Sequence, residues 1–315
     1  MPLQISAHIV APDAPGLIDA IVAADQAGLD TAWLTVGGPA PDPFAVFAAA
    51  AQRAERINLG TSIVPTFPRH PIATAQGAMT VDQIAPGRLK LGVGPSHKGP
   101  VESMWGIPFV KPLSHLREYV TILNALLGQG EVDFDGDIIQ AHARIAAPTQ
   151  VSVMIAALRE KAFHLSGELT DGGISWMAPL PYIRDVAAPA QQAGANAAGR
   201  PKPAMVVHTP IVVSENREAI LAAARRQFGF YQRMPYYSQM LLDAGYEEAA
   251  GKDFSDRMID ALVISGSANE VADRVRALPE FGVDEMLAAL VELGDADPDA
   301  ADRTLALLGE LNQEG

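Results

Sequence analysis

LKLGVGPSHKG, residues 89–99, decides between two folds. It begins as a strand, with apolar Leu89, Leu91 and Val93 alternating with Lys90, Gly92 and Gly94. It then breaks into a loop carrying Pro95, Ser96, His97 and Lys98. Gly92-Val93-Gly94 opens like the dinucleotide fingerprint G-x-G-x-x-G, but His97 stands where the third glycine is required. The stretch is a phosphate cradle only in a doubly wound open sheet. In a closed barrel the same residues are a strand end and its loop, where catalytic side chains gather.

The elements on either side repeat one alternation. QISAHIV (4–10) reads as a strand, and 16–28 as a helix closed by Gly28. DTAWLTV (30–36) is a strand; 42–55 is a helix with Asp42 as N-cap and Pro43 in its first turn. Strand 57–65, helix 70–85, strand 88–95 and helix 112–130 follow. EVDFDGDIIQAHA (131–143) interrupts with a hairpin signal at Asp135-Gly136. The alternation resumes with strand 151–157, helix 159–170, strand 172–179, helix 181–195 and strand 204–214. A helical, aromatic-rich insertion near 228–260 precedes ALVISGS (261–267), a capped helix and the last strand, 284–293. Eight buried-looking strands at even spacing, with no complete G-x-G-x-x-G, favour a single (β/α)8 barrel domain over 1–315.

Composition narrows the function. Of 315 residues, 49% are hydrophobic and 19% charged, enough for a large core. No apolar run reaches the roughly 18 residues of a membrane span, and the N-terminus lacks a basic start with an apolar core. The absence of cysteine excludes disulfides and thiolate chemistry. A net charge of −14 opposes nucleic-acid binding. These features predict a cytoplasmic enzyme acting on a small molecule. H-E-x-x-H, G-x-S-x-G and P-loop patterns are absent, and the seven histidines lack metal-ligand spacing, so no metal is expected. One local basic cluster runs from Arg69 to Arg117, with His70, Arg88, Lys90, His97, Lys98, Lys111 and His115, and predicts a basic rim for an anionic ligand group.

In a barrel the strand ends offer His8, Thr35, Thr61-Ser62, Ser96-His97-Lys98, Arg159, Trp176-Met177 and His208-Thr209. Each has a plainer reading: a strand histidine is commonly a satisfied interior group, a threonine a backbone partner, a tryptophan packing. The segment after the fourth strand is stronger, because a hydroxyl, an imidazole and an ammonium follow glycines that admit a ligand to the backbone, with Glu102 close behind. The insertion, with Phe228, Phe230, Tyr231, Tyr236 and Tyr237, reads as a pocket wall, a dimer face or ordinary packing, the last two weighing slightly more.

The run LGTSIVPTFPRHPIATAQGAMTVDQIAPGRLKLGVGPSHKGPVESMWGIPF (59–109), followed by PLSHLREYVTIL, resembles the bacterial luciferase-like superfamily, and within it the oxidoreductases that use the deazaflavin F420. AALREKAFHLSGELTDGGISWMAP and GVDEMLAALVEL are similar to the same family. The resemblance implies a (β/α)8 barrel with insertions, a homodimer and no metal. It implies a cis peptide at Ser62–Ile63, in a bulge after Thr61 that backs the cofactor ring. It places Arg69 and His70 near the cofactor and the loop with Gly94, Ser96 and Lys98 beside it, with His97 as proton donor or acceptor; Thr35 and Trp176 join as cofactor-side candidates from the strand ends, and Glu102 and His8 are weaker catalytic candidates. Where relatives carry a glycine-proline pair for the cofactor phosphate, this chain has Ala157-Leu158-Arg159-Glu160. A helix N-terminus and Arg159 still attract an anion there, and Glu160 opposes it. Three functions are carried forward: an F420-dependent oxidoreductase, an FMN-dependent monooxygenase, and a ligand-binding barrel without turnover.

Overall fold

The computed structural model describes residues 2–314. Eight parallel strands form a ring: β1 (Gln4–His8), β2 (Thr31–Leu34), β3 (Asn58–Thr61), β4 (Leu89–Gly94), β5 (Ser152–Ala156), β6 (Gly172–Trp176), β7 (Ala204–Val213) and β8 (Glu285–Leu290). Each strand pairs with the next, and β8 pairs back onto β1, so the ring is closed and leaves no edge. The chain is a (β/α)8 barrel.

Side chains of alternate residues divide into two cores. Leu59, Leu91, Ile155, Val207 and Met286 pack outward under the surrounding helices. Trp33, Met154, Ile174, Val206 and Leu287 form a separate cluster contributed by five different strands, the filling of the barrel itself. Gly60 makes room for the largest of them: a Cβ there would lie 2.4 Å from the Trp33 ring.

Below this layer the barrel is closed by charge. Glu285, 1% exposed, accepts from Lys90 Nζ at 2.6 Å, Ser6 Oγ at 2.5 Å and Trp33 Nε1 at 2.9 Å. Lys90 also donates to Thr31 Oγ1 at 2.9 Å and Gln4 Oε1 at 3.2 Å. Six side chains from four strands thereby form one network around a buried carboxylate and its ammonium partner.

Several sequence expectations shift. The strand expected over 57–65 is broken, Asn58–Thr61 continuing only after Ser62–Ile63 as Val64–Pro65. The segment after β4 contains a helix, Lys98–Trp105, ended by Gly106 in the left-handed region, where a loop was expected. The helix expected over 181–195 is interrupted by a π turn, Ile183–Ala187. ALVISGS supplies the end of helix Asp256–Leu262 and a short strand, Ile264–Gly266, that pairs only with the far end of β7, outside the ring. The hairpin is present as Glu131–Asp135 and Gln140–Arg144. Its turn is held by Glu118 of helix Pro112–Gln129, whose carboxylate accepts the backbone N–H groups of Asp137, Ile138 and Ile139. Asp42 caps its helix as expected, and among the described residues no helix is long and apolar enough to cross a membrane.

Removing one member of a buried ion pair strands the other. Glu285→Gln should therefore destabilise the protein by about 3 kcal/mol or more, read as a lower denaturant midpoint. The double variant Lys90→Met/Glu285→Leu should recover part of the loss; equal stability of Glu285→Gln and the parent would contradict the plug.

Candidate functional site

The inward alternation that sets Trp33 and Leu287 in the barrel brings His8, Thr35, Gly94, Trp176 and His208 to its upper end, at the C-terminal side of the strands. The contacts agree. His8 and His208 rings lie 5.1 Å apart, Trp176 and His208 4.2 Å, and the Thr35 and Ser62 hydroxyls 3.2 Å.

A flat floor lies at the end of β3. Ser62–Ile63 is a cis peptide, and beyond it Val64 and Pro65 pair with Val93 and Gly94 of β4. Ile63 packs against the interior cluster. Gly94 has no space for a side chain, since a Cβ would lie 2.8 Å from Ala156 Cβ and 3.1 Å from Ile63 Cγ1. At Gly92 a Cβ would lie 2.0 Å from the Thr61 carbonyl oxygen. Thr61 Oγ1 donates to the Gly92 carbonyl at 2.8 Å, so this hydroxyl ties β3 to β4. Backbone and small groups make up this floor, which fits a flat ring.

Beside it, Ser96 takes a left-handed φ of 61°, and His97 becomes the residue that starts helix Lys98–Trp105, its ring not used as a cap. The insertion reaches across to it. Tyr231 and Tyr237 ring centroids lie 6.2 and 5.8 Å from His97, and Tyr231 is 5.7 Å from Trp176. Tyr231 and Tyr237 of the aromatic segment thus pack against the ends of β4 and β6, while Phe230 and Tyr236 are exposed. Gln232, next to Tyr231, is buried with both amide atoms unpartnered, as are Trp176 Nε1 and His208 Nε2.

Burial keeps the polar groups neutral. It lowers the His8 pKa to about 4 and lowers that of His97. His208 lies well below its ordinary value through burial, reinforced by His8. Burial raises Tyr231, and raises Tyr237 well above the usual phenol range. At neutral pH the mouth therefore offers uncharged donors and acceptors.

Other candidates fall elsewhere. Ala157 is a correction: it packs outward in the main core and its N–H donates to Ile174 O, so its amide is not free for a phosphate, and Ala156 is the inward neighbour. His70 caps helix Pro71–Ile84, its Nδ1 accepting from Ile72 N and its Nε2 lying 3.1 Å from Gln140 O. Arg69 bonds Asp42 at 2.5 Å and lies over Phe44. Exposed Glu102 accepts from Phe109 N at 3.3 Å, tying down its own loop. Arg159 pairs with Asp243 of helix Pro235–Asp243 at 3.1 Å. The expected basic rim is also dispersed. Lys90 sits in the floor plug, Arg88 donates to Ala54 O and Ile57 O, and Arg117 pairs with Glu168. Lys98 is exposed and has no ion pair among the described residues.

Comparison with known proteins gives a family match and long-range relatives. Residues 2–285 match the model of the luciferase-like monooxygenase family. The chain is 27% identical over 285 residues to 5,10-methylenetetrahydromethanopterin reductase of Methanolobus tindarius, covering 84% of this chain and 87% of that protein. It is 33% identical over 178 residues to F420-dependent glucose-6-phosphate dehydrogenase of Intrasporangium calvum, covering 50% and 52%. Its fold superposes with a TM-score of 0.81 on an F420-dependent secondary alcohol dehydrogenase in complex with an F420-acetone adduct, at 18% identity over 99% of this chain and 98% of the other.

The neutral histidines make stability depend on pH. The unfolded chain binds their protons near 6.5, whereas folded His8 binds only near 4. Their contribution is complete above 6.5 and is lost as pH falls towards 4. Thermal midpoints measured across that window should decline, and less steeply in His8→Asn; identical profiles for the two proteins would contradict a desolvated His8.

Proposed function

We propose that the chain, which belongs to the luciferase-like monooxygenase family, is an oxidoreductase that uses deazaflavin F420 to exchange a hydride with a small organic substrate. The observation that carries this reading is the close-packed face of Ile63, Gly94 and Ala156 at the strand ends, with Gly94 three residues before His97, whose pKa burial lowers. The long match to an archaeal methylenetetrahydromethanopterin reductase supports it.

The bound deazaflavin would supply hydride chemistry at its central ring carbon. The chain supplies position, dryness and a proton site. Ile63's side chain would back the ring, with Gly94 and Ala156 completing that face and leaving the space above it clear. Trp176, Tyr231 and Tyr237 exclude water from that space. His97 is neutral at neutral pH and holds a ring nitrogen ready to take the proton of an alcohol, or, once protonated, to give one to a carbonyl oxygen. Lys98 would meet the cofactor's anionic tail, since Arg159 is engaged by Asp243.

The monooxygenase description of the family favours FMN as the second reading. Separate titrations with F420 and FMN, followed by each cofactor's fluorescence, decide between them. Micromolar or tighter binding of F420 alone is expected; preference for FMN would establish the second reading, and binding of neither would leave a ligand-binding barrel. His97→Ala should lower turnover by at least about tenfold with an unchanged circular dichroism spectrum, and an unchanged rate would remove His97 from the mechanism.

A further inference from the structure

We infer that the substrate is an uncharged, ring-bearing carbonyl or alcohol compound seated against Tyr231, and not a phosphorylated or carboxylated metabolite. The inference rests on the oxidoreductase reading above and names the substrate class for the same mouth.

Charge is the first argument. Of the guanidinium groups on the insertion and the β5 loop, Arg159 has Asp243 at 3.1 Å, Arg233 has Asp253 at 3.3 Å, Arg225 has Asp256 and Arg257 has Glu248 at 3.2 Å, while Arg226 donates to the Glu292 carbonyl at 3.4 Å. The three imidazoles are uncharged at neutral pH. Lys98, at the exposed start of the helix that follows His97, would meet the cofactor tail, and Lys161 and Lys252 are exposed on the outer surface. An anionic substrate would enter a partly desolvated space with no counter-charge, inside a chain of net charge −14.

Shape and hydrogen bonding give the rest. Tyr231 bridges the two sides of the mouth, with Trp176 at 5.7 Å, His97 at 6.2 Å and Tyr237 at 4.9 Å, so the surface it offers is aromatic. Trp176 Nε1 is a donor only, and it faces the Tyr231 hydroxyl without closing a full hydrogen bond. His208 Nε2 beside it is also unpartnered. A neutral oxygen on the ligand satisfies such a pair, and an aromatic or alicyclic body fills the space between the rings.

The test uses three probes titrated calorimetrically into the purified protein, with and without F420: 2-naphthaldehyde, 2-naphthoate, which carries a charge on the same ring, and glucose 6-phosphate. The aldehyde should bind at least about tenfold more tightly than either anion. Tyr231→Ala should weaken aldehyde binding about tenfold, and Tyr231→Phe should restore it, because the ring face makes the contact. Equal or tighter binding of either anion, or an unaffected Tyr231→Ala, would overturn the proposal. The two readings separate cleanly. F420 binding with a preference for anions removes this proposal alone, whereas aldehyde selectivity in a protein that does not bind F420 upholds it and removes the cofactor assignment.

Discussion

The Lys90–Glu285 pair sits where a barrel has the least room for error. Lys90 comes from β4 and Glu285 from β8, on opposite sides of the ring, and Ser6, Thr31 and Trp33 join them from β1 and β2. Strand side chains alternate in and out, so a one-residue slip in any of these strands would put a charge under the helices and an aliphatic group in the plug. The pair thus couples register to a large desolvation penalty. The layers above inherit that register: Trp33 over the carboxylate, then His8, Thr35, Gly94, Trp176 and His208 at the mouth.

The mouth is built with the opposite electrostatics. The floor of the barrel holds a full ion pair, and the upper end holds imidazoles, an indole and phenols that burial keeps neutral. Such groups can order a polar atom of a ligand or relay a proton without paying for a fixed charge in a dry site. Ile63, Ala156 and the side-chain-free Gly94 provide a surface, and the histidines and the indole provide direction.

Much of this was legible before any coordinates. The even spacing of apolar strands gave the ring, and the rule that chemistry gathers at strand ends picked out His8, Thr35, Ser62, His97 and Trp176. What escaped has identifiable causes. VSVMIAA is apolar on both faces, as buried parallel strands are, so the sequence conceals that Ala156 faces inward and Ala157 outward. Lys90 counted as part of a basic rim because its partner, Glu285, lies near the other end of the chain. Arg159 looked free for a phosphate because Asp243 belongs to a distant insertion. His70 and Glu102 carry reactive groups, yet their atoms are used to cap a helix and to pin a loop, which only three-dimensional contact reveals. The contact of Tyr231 with His97 is likewise non-local, and no periodicity in either segment encodes it.

The Arg159–Asp243 pair has an architectural consequence. A loop on a barrel ordinarily serves the strand it follows, whereas this insertion leaves from β7 and is fastened again beside β5. It therefore spans β6 like a beam on two piers, and Trp176 at the tip of β6 lies under the span, touching Phe228 and Tyr231. Neighbouring loops β5, β6 and β7 thereby act as one roofed sector, whose edge reaches His97 after β4. The barrel's eightfold plan becomes lopsided at its upper end, where one insertion binds the ends of several strands into a single unit.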